Sequence, residues 1–216
     1  MENSFVVVSY YTIGTPYHIV AHEYLMGSVK RLDGKVKADI AGVPSLGSWQ
    51  KNTGYKAQFI ANKLDHHTEN LVFLDCDAEI HEYPGLFDSI PEEYNFACHI
   101  LDKREWYGLP YEESQAKELL SGTLFVRNNF ESKRIVHEWN MACHISNLWE
   151  QKVLDMVLKK NNIKVFELPI SYCYIKTLPD GRDPIVKCDK PIISHNQVSR
   201  KLRNVVNQCP PTPLNA

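Results

Sequence analysis

The chain has 216 residues, of which 44% are hydrophobic and 23% charged, with a formal net charge of −2. This composition is typical of a soluble globular protein with a substantial core, and the small negative charge gives no overall electrostatic case for nucleic-acid binding. The charge is uneven, because residues 187–216 carry +4 and the rest of the chain therefore −6. A basic tail beside an acidic body suits a negatively charged ligand bound between them.

The six cysteines, at positions 76, 98, 143, 173, 188 and 209, form no CxxC pair and no dense framework. Reduced thiols in a cytoplasm fit this pattern better than disulfides. The first four residues lack a basic start, and the apolar run behind them covers only residues 5–8. We therefore expect no signal peptide, no membrane span and a cytoplasmic location, which would be the host cytoplasm for a viral protein.

Strand-like and helix-like patterns alternate along the chain. The first half predicts a strand over 5–11, a helix over 17–32, a strand over 36–43, a loop over 44–54, a helix over 55–64, a strand over 71–74 and turns over 82–91. The second half predicts a strand over 95–100, a loop over 107–113, a strand over 121–126, helices over 130–145 and 149–160, a strand over 164–168, a turn over 179–181, a strand over 191–194 and a basic segment to 203. This alternation predicts an α/β fold with a mixed, mainly parallel sheet flanked by helices, as one domain over 1–208 with a frayed, Pro-rich tail over 209–216.

The most informative motif is Asp75-Cys76-Asp77, which follows four apolar residues. Strand periodicity points Asp75 and Asp77 to the same side, at the carboxyl end of a strand where open α/β sheets bind ligands. Two adjacent carboxylates repel each other unless a cation lies between them, and hard oxygen ligands favour Mg²⁺ or Mn²⁺. The motif therefore predicts a divalent ion that holds a phosphate, and the alternative is a solvated or capping pair of acids.

Two further segments carry candidate binding residues. Asn52 and Lys56 precede the aspartate strand and could hold a base, ribose or phosphate. Taken alone, they are better explained as the start of a surface helix. The segment Ser121-Gly122-Thr123 offers two hydroxyls and a close backbone approach where a strand is entered through a turn. An ordinary turn also explains this segment.

The last candidates lie in the C-terminal third. Glu150 and Gln151 open a helix, where the macrodipole favours an acid, and they could also line the site opposite the aspartates. His195 follows an apolar strand and could complete an Asp-Asp-His metal site. Arg200 and Lys201 could neutralise a diphosphate leaving group.

In this order the residues resemble the nucleotide-diphospho-sugar transferases of the GT-A glycosyltransferase fold, over roughly residues 5–203. The resemblance implies a GT-A-like, Rossmann-like fold, with Asp77 and His195 coordinating Mn²⁺ or Mg²⁺ and Asp75 contacting the metal or ribose. The resemblance also implies that Tyr10, Tyr11 and Thr12 contact the base and ribose and that Lys56 contacts the nucleotide or donor. It implies that Ser121, Gly122 and Thr123 contact the donor sugar or the acceptor and that Glu150 and Gln151 lie near the transferring sugar. Arg200 and Lys201 would contact the diphosphate.

The implied activity is metal-dependent transfer of a sugar from a nucleotide-diphosphate sugar, with a UDP-sugar expected first, to an acceptor hydroxyl with retention of configuration. The acceptor stays open among a protein, a small metabolite, a glycan and a hydroxylated base in DNA, since small stand-alone transferases of this kind occur in bacteriophages. The chain departs from better-known members by its short length and by its late motif, His-Asn-Gln-Val-Ser-Arg-Lys rather than a longer His-Gly-Lys-Pro-Trp type.

Two other function classes compete with this interpretation. A haloacid-dehalogenase-like phosphatase also places Asp-x-Asp after an apolar strand, with the first aspartate as nucleophile. That class carries its motif near the N-terminus and a later Asp-Asp or Glu-Asp pair, neither of which this chain has. A non-catalytic nucleotide-binding module is the second alternative.

Overall fold

A mixed six-stranded sheet organises the fold, and a second sheet of three short strands lies beside it. We describe a computed structural model of the chain over residues 4–108, 110–178 and 181–211. Its strands are β1 (Phe5–Ile13), β2 (Ala38–Pro44), β3 (Asn70–Leu74), β4 (Ala78–Ile80), β5 (Phe96–Asp102), β6 (Lys117–Val126), β7 (Val165–Glu167), β8 (Tyr174–Ile175) and β9 (Ile193–His195). The large sheet has the order β2-β1-β3-β6-β5-β7 and the small one the order β4-β9-β8.

Strand direction in the large sheet confirms the predicted mixed, mainly parallel arrangement. β1 runs parallel to both β2 and β3, and β5 runs parallel to β7. β6 runs antiparallel to its neighbours β3 and β5. The ends of β1 and β3 therefore meet at one edge, and the middle of β6 lies beside them.

Helices cover the large sheet as the alternating pattern predicted. They are α1 (Tyr17–Ala21), α2 (Gly27–Arg31), α3 (Trp49–Gly54), α4 (Lys56–His66), α5 (Lys103–Tyr107), α6 (Glu113–Ala116), α7 (Phe130–Ile145), α8 (Glu150–Lys160) and α9 (Ser199–Val206). A π-helical turn, His22–Met26, joins α1 to α2, and the segments Gly85–Ser89 and Ile170–Tyr172 are 3-10 helices. Within the described ranges, no helix is long and apolar enough to cross a membrane.

The apolar run of β3 is buried on both faces of the sheet. Leu71 and Phe73 pack into one core with α4, α7 and α8, whereas Val72 and Leu74 pack into a second core on the opposite face. Successive strand residues point to opposite faces, so a strand covered on both sides must be apolar at every position. This double burial fixes β3 and places Asp75 directly at its end.

Two of the differences between the structure and the predicted elements concern segments that carry candidate site residues. The segment predicted as a loop over 44–54 contains α3, because the Ser48 side chain accepts a hydrogen bond from the Lys51 amide and caps a helix. The segment 121–123 does not form a strand entrance. It lies inside β6, which begins at Lys117, next to a register shift against β5.

Two predicted features lie partly outside the described residues. These are the Pro-Asp-Gly turn at 179–181, of which only Gly181 is described, and the tail over 209–216, which is described as far as Pro211.

Candidate functional site

A pocket of about 650 Å³ opens where β1 and β3 end beside the middle of β6. Thirteen of the fifteen residues singled out from the sequence line it: Tyr10, Tyr11, Thr12, Asn52, Lys56, Asp75, Asp77, Ser121, Gly122, Glu150, Gln151, His195 and Arg200. Thr123 and Lys201 do not line it. Residues from distant parts of the chain thus converge on one cavity, in which the geometry of each group can be compared.

Asp75, Asp77 and His195 form the centre of the pocket. One potential ligand atom from each lies within 4.8 Å of the others. The topology explains this convergence, because β4 pairs antiparallel with β9 and places Ala78 opposite His195. The histidine is therefore brought to the aspartates by backbone pairing across more than a hundred residues.

Each aspartate has one carboxylate oxygen held by a protein group. Lys56 Nζ lies 3.0 Å from Asp75 Oδ1, and the Val198 amide donates to Asp77 Oδ2 at 2.9 Å. The other oxygens face the centre, where Asp77 Oδ1 is 3.9 Å from His195 Nδ1. Such partners orient ligands and leave one defined atom for an ion.

His195 is held in the same manner. Its Nε2 shares a 2.8 Å hydrogen bond with Thr123 Oγ1, so Thr123 supports the site without lining it. The buried Nδ1 has no hydrogen-bond partner among the described residues. Burial opposes protonation of the ring, but Cys173 and Asp77 raise the pKa of His195 to about 10. A cation near Nδ1 would take the place of that proton.

Gly122 provides the space between these groups. A Cβ atom at this position would lie 3.0 Å from both Asp75 Oδ2 and His195 Cε1, closer than real Cβ contacts normally allow. The close approach of β6 to the three side chains thus favours glycine, because any larger residue would force these side chains to shift. Two carboxylate oxygens and an imidazole nitrogen around this space form a donor set suited to Mn²⁺ or Mg²⁺.

Lys56 is an internal countercharge of the site. Its side chain is only 4% exposed, and Nζ lies 3.0 Å from Asp75 Oδ1, from Glu150 Oε1 and from Ser121 Oγ. Burial alone would lower the pKa of Lys56. The carboxylates of Asp75 and Glu150 raise it by more than burial lowers it, so the pKa lies well above its ordinary value. The amine is therefore charged and links the aspartate motif to α8.

Glu150 and Gln151 form the wall beside Lys56. Burial raises the pKa of Glu150, although Lys56 opposes that shift, and Glu150 Oε2 has no hydrogen-bond partner among the described residues. Gln151 Oε1 accepts from the Ser121 amide at 2.9 Å, and Gln151 Nε2 donates to Glu118 at 2.8 Å. The two residues thus connect α8 to β6.

On the pocket wall formed by β1, several polar side chains already have hydrogen-bond partners within the protein. Tyr10 donates its hydroxyl to the Asn52 carbonyl at 2.7 Å, and Thr12 Oγ1 bonds to Thr15 Oγ1 at the same distance. The Asn52 side chain accepts from the Leu46 amide and so holds the segment before α3. The rings of Tyr10 and Tyr11 therefore supply the surface that a flat ligand can contact, whereas the polar groups of Asn52 and Thr12 are already bonded.

The basic helix α9 turns one face toward the pocket. Arg200 lines the pocket and donates to the Thr177 carbonyl, whereas Lys201 is exposed on another face. Arg203, which the sequence analysis did not select, also lines it, with its guanidinium 3.8 Å from the centre of the Trp49 ring. The spacing of Arg200 and Arg203, three residues apart, could have identified this face, because it places both on one side of a helix.

Aromatic residues at the pocket edge were also missed. Trp49 and Trp149 line it with ring centroids 6.1 Å apart, and Tyr17 and Tyr107 line it as well. Burial raises the pKa of Tyr17, with further contributions from Cys76 and Asp77. Each tryptophan stands at the start of a helix, where the sequence pattern alone does not separate a ligand contact from core packing.

A sequence model of the nucleotide-diphospho-sugar transferases matches residues 67–204. The chain belongs to this family. The match includes the aspartate motif, the β6 segment, the start of α8, His195 and both pocket arginines. Membership identifies the protein as a glycosyltransferase and decides against the phosphatase alternative. No curated protein sequence matches the chain significantly.

Solved glycosyltransferase structures share the fold. The bifunctional glycosyltransferase WbbM aligns with a TM-score of 0.63 at 12% identity, over 91% of this chain and 46% of its own. A glycosyltransferase involved in the glycosylation of the major capsid of PBCV-1 aligns with a TM-score of 0.61 at 16% identity, over 93% and 97%. Mouse xyloside xylosyltransferase 1 aligns with a TM-score of 0.57 at 11% identity, over 91% and 98%. The chain thus spans under half of WbbM and nearly all of the others, and these identities support a GT-A-like fold alone.

Proposed function

We propose that the protein transfers a sugar from a nucleotide-diphosphate sugar, with UDP as the first nucleotide to test, to an acceptor hydroxyl. A divalent ion, Mn²⁺ or Mg²⁺, would be bound by Asp75, Asp77 and His195. The convergence of three ligand atoms around Gly122, inside the pocket of a nucleotide-diphospho-sugar transferase, carries this proposal. The tyrosine rings of β1 would contact the base and ribose.

The reaction exchanges one bond at the anomeric carbon for another. The acceptor oxygen bonds to that carbon as its bond to the diphosphate oxygen breaks, and the acceptor proton leaves with the diphosphate. The ion, when bound, supplies electrostatic stabilisation of the charge on the leaving diphosphate. Arg200 and Arg203, on the pocket face of α9, would add further positive charge for the diphosphate.

Retention of configuration fits the state of the carboxylates in this pocket. Asp75 and Asp77 belong to the ion site, Glu150 is paired with Lys56, and Glu118 is paired with Lys103. Among the described pocket residues, each carboxylate therefore has another task than that of a dedicated general base. The leaving phosphate itself would accept the proton, and NMR of the anomeric product would distinguish retention from inversion.

The test of the ion site is a donor hydrolysis and transfer assay with and without Mn²⁺. Asp77→Ala removes one ligand and should abolish turnover, whereas Asp65→Ala, an exposed acid on α4, should leave it unchanged. Thermal unfolding with nucleotide diphosphates should show a Mn²⁺-dependent shift of several degrees at ligand concentrations about 100 times the dissociation constant. Equal turnover of Asp77→Ala in a chelator would refute the metal-dependent mechanism.

A further inference from the structure

The pocket extends across the sheet beyond the proposed donor site. Because the strand order is β1-β3-β6-β5, the tyrosines of β1, the aspartates after β3 and Gly122 of β6 follow one another in space. Leu101 of β5 lines the same pocket beyond them. The end of the pocket at β5 is therefore separated from the nucleotide wall by the ion site.

This distal end has an apolar floor. Leu101, Leu120 and Ile175 line it and belong to one small core cluster, with Tyr107 packed against that cluster. Gln151 and Glu118 also line the pocket, and they hydrogen bond to each other. A floor of aliphatic side chains with a tyrosine beside it and hydrogen-bonding groups in the same pocket suits a ring that has an apolar face and hydroxyl groups at its edge.

The charged side chains near the β5 end of the pocket are carboxylates, or cations that form ion pairs with carboxylates. Glu118 contributes the carboxylate there, and its partner Lys103 is not among the lining residues. Arg104 of α5 is bonded to both Asp102 and Glu113. The segment 101–120 as a whole contains five acidic and three basic residues. Lys103 and Arg104 are therefore both held in ion pairs at this end, whereas the pocket cations Arg200 and Arg203 lie on α9. A phosphate or carboxylate on the acceptor would need an uncompensated positive charge, which neither Lys103 nor Arg104 offers.

We propose that the distal end is the acceptor subsite for an uncharged ring bearing hydroxyls, a neutral saccharide, and that Glu118 determines this specificity by rejecting anionic acceptors. The inference deepens the proposed function and rests on it. It removes polyanionic DNA from the first candidates, because DNA binding depends mainly on neutralising phosphates.

The experiment compares acceptors that differ in charge, using the full chain with Mn²⁺ and the donor identified by thermal unfolding. The panel consists of neutral p-nitrophenyl pyranosides, the matching uronic acid glycosides, and duplex DNA with hydroxymethylated bases. We expect transfer to neutral glycosides, at least tenfold slower transfer to uronic acid glycosides, and none to DNA. Transfer to anionic acceptors as fast as to neutral ones, or to no neutral glycoside despite donor hydrolysis, would overturn the inference.

Glu118→Gln keeps an oxygen for Gln151 and removes the charge. It should raise the ratio of uronic acid to neutral transfer by about tenfold, the size expected for one carboxylate in a partly exposed site. Glu112→Gln, a change of an exposed acid outside the pocket, should leave the ratio unchanged. Identical ratios in the two variants would contradict the role of Glu118. Donor hydrolysis without acceptor distinguishes failure of this inference from failure of the proposed function. If the wild type does not hydrolyse the donor, the proposed function itself is refuted.

Discussion

Replacing Lys56 by methionine tests whether one buried ammonium group holds the site together. In the structure Lys56 Nζ lies 3.0 Å from both Asp75 Oδ1 and Glu150 Oε1, and methionine removes the charge while keeping most of the apolar stem. Asp75 is 40% exposed and can regain water, but the Glu150 side chain is only 2% exposed. Glu150 would therefore be left as an uncompensated buried carboxylate and would take up a proton.

The expected cost follows from that burial. Removing one partner of a buried ion pair typically destabilises a protein by about 3–5 kcal/mol. We expect the lower end, about 3 kcal/mol, because only Glu150 stays shielded from water, and this corresponds to a fall in melting temperature of roughly 6–12 °C for a chain of this size. In the variant the pKa of Glu150 rises further. The loss of stability relative to the wild type should therefore be smallest at low pH and grow as the pH rises through that pKa.

Chemical denaturation of Lys56→Met, of Glu150→Gln and of the double variant measures this cost. The double variant contains no buried charge at this point, so it should recover most of the stability lost by Lys56→Met, as when apolar groups replace a buried pair. A loss below about 1 kcal/mol in Lys56→Met, or a double variant whose losses simply add, would show that the ammonium group does not compensate Glu150.

Two further predictions concern the ion and the donor. Gly122→Ala should weaken Mn²⁺ binding by about 10- to 100-fold, because its Cβ would enter the space between the ligands. Gly54→Ala is the control, because a Cβ at that position meets nothing within 4 Å. Equal Mn²⁺ affinities of the two variants in a titration would contradict the assignment. Arg203→Ala should raise the donor KM about tenfold through loss of a cation held over Trp49. Lys201→Ala should change it less than about twofold, as expected for an exposed charge outside the pocket, and matching effects of the two variants would show that the pocket face of α9 does not bind the donor.

The aspartate motif was predictable because its cause is local. Four buried residues in β3 must be apolar on both faces, and the acids must follow where the chain leaves the core. The helices α7 and α8 were predictable from their spacing for the same reason, with boundaries within one residue of those predicted. Strand burial and helix periodicity depend on residues that are close in sequence, so both can be recognised from the sequence alone.

The remaining features depend on pairing between distant segments. Gly122 flanked by two hydroxyl residues is typical of a turn, but the pairing of Thr123 with Leu74 of β3 and the Asp75 amide, which donates to the Gly122 carbonyl, keep this segment extended. Likewise, the pairing of Ala78 with His195 has no local signal. The sequence indicated the histidine by its place after an apolar strand and by the family resemblance, and neither of these shows which segment it pairs with. Trp49 and Arg203 show the same limit, because their contact joins α3 to α9.

The proposed ion site is held by elements that are far apart in the chain. Asp75 is fixed by Lys56 of α4, Asp77 by the Val198 amide before α9, and His195 by its own pairing in β9. The first restraint belongs to the large sheet and its helices, whereas the other two depend on the C-terminal segment docking onto β4. An ion that binds all three side chains therefore couples the C-terminal segment to the sheet, because its binding free energy is available only when both parts are in place. Arg200 and Arg203 lie on that same segment, so ion binding and donor binding should each strengthen the other.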